Sequence, residues 1–179
     1  GQLITTPIEH PYVSNVVKHL HTLGWKVDYL KVHRFGQIDP MQFMDCLQPD
    51  TKIVSVMLVN NELGSIAPVS ELGKIIEQEN QSRQHKIVFH VDAIQALGHV
   101  PVRISDFKAH LCTFSGHKIF GPKGIGLLYA NREVQLRPIM FGGNQEGGLR
   151  SGTENIPAIV GLTKAAQLVT ENFADNTEQ

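Results

Sequence analysis

Apolar positions follow two alternating periods along this chain. Leu3-Ile4-Thr5-Thr6 predicts a short strand, and Glu9-His10-Pro11 breaks it. Tyr12, Val13, Val16, Val17, Leu20 and Leu23 then recur at helical spacing until Gly24 stops the run. Lys26 to Val32 alternates apolar and polar residues, which predicts a second strand. After a turn at Phe35-Gly36-Gln37, Asp39 has the character of an N-cap, with Pro40 at the first helical position. Phe43, Met44 and Leu47 give that short helix its expected buried side. Lys52 to Val59 is almost continuously apolar, as a strand covered on both faces should be. Pro68 to Gln81 predicts a helix with Leu72, Ile75 and Ile76 turned inward.

The second half repeats the alternation. Ile87-Val88-Phe89 opens a strand that ends at Asp92, and Leu111 opens another that ends at Ser115. Between them, Pro101 to Asp106 is a connector with room for one helical turn. Gly121 to Gly124 is a turn, and Ile125 to Ala130 predicts a strand returning as a hairpin. Gly142 to Gly148 is a glycine-rich loop. Ile156 to Val169 predicts the last helix, with Ile159, Val160, Leu162, Ala165, Ala166 and Val169 apolar, and the polar tail from Asn172 should fray. Strands alternating with helices predict right-handed βαβ units and a mostly parallel sheet between helical layers. With no repeat and no linker, the expected architecture is one three-layer α/β/α domain over residues 1–179.

Composition narrows the function classes. A chain of 179 residues can bury a sizeable core, and 41% apolar with 18% charged residues is an ordinary globular balance. A formal charge of -1 gives no electrostatic reason to expect a nucleic-acid or anionic-membrane partner. Clean apolar runs such as Val56-Met57-Leu58-Val59 fall far short of the roughly 20 residues that cross a bilayer. No signal peptide is visible, although the first residue is Gly1 rather than Met. Two cysteines, Cys46 and Cys112, make no disulfide framework, so a reducing, intracellular compartment is expected.

The chemistry gathers where strands end. Asp92 closes one strand in His90-Val91-Asp92-Ala93-Ile94-Gln95, and Lys118 follows another in Ser115-Gly116-His117-Lys118. In an open parallel α/β sheet, that edge is where ligands sit. A carboxylate and an amine arriving there together suggest a cofactor with a basic ring nitrogen and an aldehyde, hence pyridoxal 5'-phosphate. Taken singly, Lys118 fits a polar surface turn and Asp92 a strand-end turn. Other motifs fail: Gly121-Pro122-Lys123-Gly124-Ile125-Gly126 lacks the Gly-Lys-Ser/Thr of a phosphate-binding loop. The nine histidines show no zinc-site spacing, so no metal is expected. No nucleophile elbow is present.

With Val59-Asn60-Asn61-Glu62 before this segment and Arg150-Ser151-Gly152-Thr153-Glu154-Asn155 after it, the chain resembles the cysteine desulfurases. These are fold-type I pyridoxal-phosphate enzymes of the class V aminotransferase group. The resemblance covers nearly the whole chain, in the family's order, including the 26-residue step from Asp92 to Lys118. It implies the family's large-domain fold, incomplete, with parts of the usual polypeptide lying before Gly1 and after Gln179.

The roles that follow are what the resemblance implies. Lys118 forms the Schiff base with the cofactor and moves the substrate's α-proton. An amine must lose its proton to attack an aldehyde, so burial and nearby positive charge are expected around it. Asp92 partners the pyridine nitrogen and keeps the ring an electron sink. Asn61 and Gln95 bond the phenolic oxygen, and His10 stacks on the ring. Ser115 and His117 hold the phosphate, with further ligands expected upstream of Gly1. Thr153 reaches the phosphate of a partner subunit, so a homodimer is implied.

The implied reaction converts L-cysteine to L-alanine and passes sulfur to a cysteine, then to an acceptor protein for iron–sulfur cluster or tRNA thiolation pathways. That cysteine is expected beyond Gln179. Cys46 and Cys112 fall in a predicted helix and strand, where cysteine is commonly inert packing. The expected location is the cytoplasm, or the mitochondrion in a eukaryote. Two alternatives stay open: another lyase or transaminase of the group, and a non-catalytic scaffold whose cofactor pocket is incomplete, inactive by itself.

Overall fold

A computed structural model describes residues 1–173. Six strands form one sheet: β1 (Gln2–Thr5), β2 (Lys26–Tyr29), β3 (Thr51–Met57), β4 (Val88–Asp92), β5 (Leu111–Ser115) and β6 (Gly126–Ala130). Their order is β2-β1-β3-β4-β5-β6. The first five run parallel, and β6 returns antiparallel to β5, which is the expected hairpin. The order reverses between β1 and β3, because the chain goes out to β2 on one side and returns on the other. Such a switch point leaves a crevice at the strands' C-terminal ends.

Helices cover both faces. They are α1 (Pro11–Thr22), α2 (Pro40–Cys46), α3 (Val69–Ser82), α4 (Ile104–Phe107) and α5 (Ile156–Glu171). Side chains alternate across a strand, so Val54 and Val56 share one face with Phe89, Val91, Cys112 and Phe114. There they meet Phe43 of α2, Leu72 and Ile76 of α3, and Phe107 of α4 in the main core. Burying each such side chain is worth about 1.5–3 kcal/mol. The opposite face carries Leu3, Val27 and Ile53, which α1 covers with Val13, Val17 and Leu20. This α1 layer lies over β1, β2 and β3. The same face of β4 and β5 presents polar residues instead: His90, Asp92 and Thr113.

Local chemistry accounts for the element boundaries. Asp39 caps α2 by accepting from the Met41 N–H at 2.9 Å, with Pro40 behind it. At Gly73 of α3 an added Cβ would lie 2.0 Å from the Phe107 carbonyl oxygen, so α4 approaches α3 only over a glycine. Two expectations, on the second strand and on Met44, need correction. The second strand ends at Tyr29, and Val32 makes only a single bridge to Ile38. Met44 is 47% exposed, since it sits about 100° around the helix from fully buried Phe43 and α2 has one covered stripe. Val160 is 62% exposed, because α5 buries Ala158, Ala165 and Val169 instead, the last two against Ile119. Asn172 caps α5, and the rest of the expected frayed tail lies outside the described residues.

Candidate active site

The crevice at the switch point is tied together by one buried asparagine. Asn60, just past β3, donates to the Ile8 carbonyl at 2.8 Å. Its side-chain oxygen accepts from the Glu62 and Leu63 N–H groups at 2.9 and 2.8 Å. One side chain therefore fixes the loop after β1, which carries His10, to the loop after β3, which carries Asn61. His10 is the N-cap of α1, its Nδ1 accepting from the Tyr12 N–H at 3.3 Å.

Asp92 ends β4 and is only 2% exposed. Its Oδ1 accepts from the Ile94 N–H at 2.9 Å, an Asx turn that sends the chain toward Gln95. Past β5, residues Gly116–Ile119 form a 3₁₀ turn closed by Phe120 in the left-handed region at φ 64°. The Gly121 N–H bonds back to the Gly116 carbonyl at 2.8 Å. Ser115 Oγ lies 2.8 Å from His117 Nδ1. The turn presents His117 and Lys118 outward.

His10, Asn61, Asp92, Gln95, His117 and Lys118 line a single cavity of about 180 Å³. Pockets for drug-sized ligands begin at roughly 300 Å³, so this one suits a small ring. Ser115 stands behind His117 through their hydrogen bond. Thr153 is apart from the cavity, exposed in the loop leading into α5. The expected enclosure of Lys118 is not found: the side chain is solvent-exposed, because the 3₁₀ turn carries it at the cavity's open side. A larger cavity, about 490 Å³, lies by Gln48 and His85 at the strands' opposite ends. Its cation, Arg83, is already engaged by Glu79 at 3.0 Å and the Gln48 carbonyl at 2.7 Å.

Three wall residues escaped the sequence reading: Tyr12, Met57 and Ile94. Two buried titratable groups behind the wall did too. Glu9 is 7% exposed, with Oε1 accepting from the Thr6 hydroxyl at 2.6 Å and the Met57 N–H at 3.1 Å. Its Oε2 has no partner among the described residues. Burial pushes its carboxyl from the ordinary 4.5 up to about 7; those two hydrogen bonds oppose the rise and the Asp92 charge adds to it. His90 sits between Ser55 Oγ at 2.8 Å and Thr113 Oγ1 at 3.2 Å. Burial holds its imidazole below the usual range, against the pull of Asp92. The signal for His90 was its place two residues before Asp92, hence on the same strand face. The thiols lie elsewhere. Burial pushes Cys112 up to about 12 and raises Cys46 as well.

A buried carboxylate, a free primary amine, two amides and two imidazoles around one small cavity can bind a protonated aromatic nitrogen and hold a carbonyl beside the amine. Fold and site thus define an α/β domain in which a lysine and a buried carboxylate meet at the strand ends. The family model described as aminotransferase class-V matches residues 1–179, and the chain belongs to that family. It is 46% identical over 166 residues to a cysteine desulfurase of Nostoc sp., covering 93% of this chain and 40% of that protein. Among solved structures it is similar to a NifS-like protein, with TM-score 0.92 and 38% identity, over 97% of this chain and 47% of the other. It is also similar to SspA in complex with cysteine, with TM-score 0.86 and 38% identity, over 93% and 47%. The chain spans about 40% of the length of the curated relative.

Proposed function

We propose that this chain forms the cofactor-binding centre of a pyridoxal-phosphate-dependent cysteine desulfurase, which takes sulfur from L-cysteine and leaves L-alanine. The observation that carries the reading is the shared cavity of Asp92 and Lys118, residues remote in sequence, with Asn61, Gln95, His10 and His117 around them. The donor set fits the cofactor. Asp92 is an acceptor for the proton on a pyridine nitrogen, and the exposed amine of Lys118 can reach an aldehyde. The Asn61 and Gln95 amides donate to a phenolic oxygen. Ser115 and His117, beside the N–H groups of the 3₁₀ turn, offer phosphate contacts.

Bound there, pyridoxal phosphate supplies an electron sink for charge developing at the substrate's α-carbon. The chain's residues do the rest. Buried Asp92 keeps a proton on the ring nitrogen through its charge. Lys118 would hold the cofactor through its amine and would be the group that carries the substrate's α-proton. The imidazole of His10, in the cavity wall, would shield one side of a bound ring from water. Thr153 serves the phosphate of a second copy, so the working unit is a homodimer. Sulfur leaves through a cysteine to an acceptor protein. The cysteine substrate is supported by SspA, whose solved structure is a complex with cysteine.

Adding pyridoxal phosphate to the purified chain should produce the visible absorbance of lysine-bound cofactor, lost in Lys118→Ala. Absorbance equal in that variant would refute the assignment. Sulfide plus alanine from cysteine would separate a desulfurase from other members of the family.

A further inference from the structure

Ser55, His90, Thr113 and Tyr12 form one continuous hydrogen-bonded chain beside Asp92. Ser55 and His90 are register partners across β3 and β4, and Asp92 and Thr113 across β4 and β5. Ser55 Oγ is 2.8 Å from His90 Nδ1, and His90 Nε2 is 3.2 Å from Thr113 Oγ1. Thr113 Oγ1 is in turn 3.3 Å from the Tyr12 hydroxyl, from the first turn of α1. Tyr12 and Asp92 line the same cavity. The chain thus starts inside the sheet and ends at the cofactor-binding wall.

Its polarity follows from proton counting. A neutral imidazole has one N–H donor and one bare acceptor, and burial favours neutral His90. Two arrangements satisfy every link. In one, the hydrogen bonds run outward: Ser55 hydroxyl to Nδ1, Nε2–H to Thr113, Thr113 hydroxyl to Tyr12, leaving the phenol proton free to point into the cavity. In the other they run inward, and the phenol oxygen turns its lone pairs toward the cavity. The carboxylate at that end selects the outward arrangement, since an anion attracts the phenol proton and repels its lone pairs. Glu9 does not compete for that proton through Oε1, which Thr6 and the Met57 N–H already hold.

We propose that Tyr12 is a positioning residue for the cofactor site: its hydroxyl, polarised outward by Ser55, His90 and Thr113, donates to Asp92 and fixes that carboxylate's orientation. In its bearing on the cofactor this rests on the function proposed above; in its bearing on Asp92 it does not. A hydroxyl donated to a carboxylate is a charge-assisted bond, stronger than a neutral one. It would hold Oδ2, while the Ile94 N–H holds Oδ1 at 2.9 Å.

The test has two arms. Nitrogen NMR of the full chain without cofactor reads the His90 tautomer. The expected proton is on Nε2, and Asp92→Asn, which removes the polarising charge, should let the Nδ1–H form appear. A proton on Nδ1 in the unsubstituted chain, or a tautomer indifferent to Asp92→Asn, would overturn the proposal. In the second arm, pyridoxal phosphate is titrated into the chain and into Tyr12→Phe, which keeps the ring. Dissociation should weaken roughly tenfold in the variant, and equal affinity would overturn the proposed effect on the site. If the unsubstituted chain binds no cofactor while the tautomer is as expected, the donor chain to Asp92 stands and the proposed function fails.

Discussion

Glu9 gives the sharpest quantitative prediction. The carboxyl is buried, one oxygen is unpartnered, and its pKa stands at about 7 instead of 4.5. A carboxyl with a raised folded-state pKa binds more protons when folded than when unfolded. Stability is therefore fullest below pH 4.5, falls as pH rises through the window to about 7, and is level above it. The shift corresponds to about 3 kcal/mol across that window, a large part of the roughly 5–15 kcal/mol that holds a domain folded. Glu9→Gln abolishes the titration. The amide oxygen can still accept from Thr6 and Met57, while the amide nitrogen goes unpartnered, a penalty of about 1–3 kcal/mol that does not vary with pH. Urea unfolding across the window should then show the difference between variant and parent change by about 3 kcal/mol, a midpoint change on the order of 1 M urea. His90 also titrates with burial, but in both proteins, so it drops out of the difference. Parallel pH dependences for the two would refute the reasoning.

Three further outcomes follow from the packing and the site. Gly73→Ala should destabilise the chain by about 3 kcal/mol, because its Cβ would meet the Phe107 carbonyl; a thermal midpoint unchanged from the parent would contradict that contact. Phe43→Ala, at a fully buried position, should cost about 3–5 kcal/mol in denaturant unfolding. Asn60→Ala releases the loop after β1 from the loop after β3, and should weaken pyridoxal-phosphate binding in a titration by roughly tenfold, with a stability loss of about 1–3 kcal/mol.

The strand–helix alternation made the fold legible because β3, β4 and β5 are short, largely apolar runs stopped by polar clusters. The stops at Asp92 and Ser115 told where the chemistry collects, and the structure brings six of the candidate residues to one cavity. What stayed hidden depended on three-dimensional neighbours. Tyr12 scored as one more apolar position of α1, and only the helix's placement turns its hydroxyl to Thr113. Glu9 looked like part of a strand-breaking turn, since a carboxylate beside proline is ordinarily exposed. Its burial comes from the switch point, where the Met57 N–H on another strand donates to it. The exposure of Val160 and Met44 was invisible for a related reason: an apolar residue announces a preference for cover, whereas a neighbouring element must supply it. Lys118 shows the converse: its place after β5 was legible, while its exposure follows from the 3₁₀ turn that carries it.

One ring-sized cavity joins Asp92 to Lys118, and chemical reduction of the cofactor-loaded chain tests whether they share one ring. Borohydride treatment after pyridoxal-phosphate loading, followed by peptide mass mapping, should find the cofactor's mass on the peptide containing Lys118, and the label should fall sharply in Asp92→Ala. Label spread over surface lysines such as Lys18, Lys74 and Lys164, with none preferred at Lys118, would contradict it.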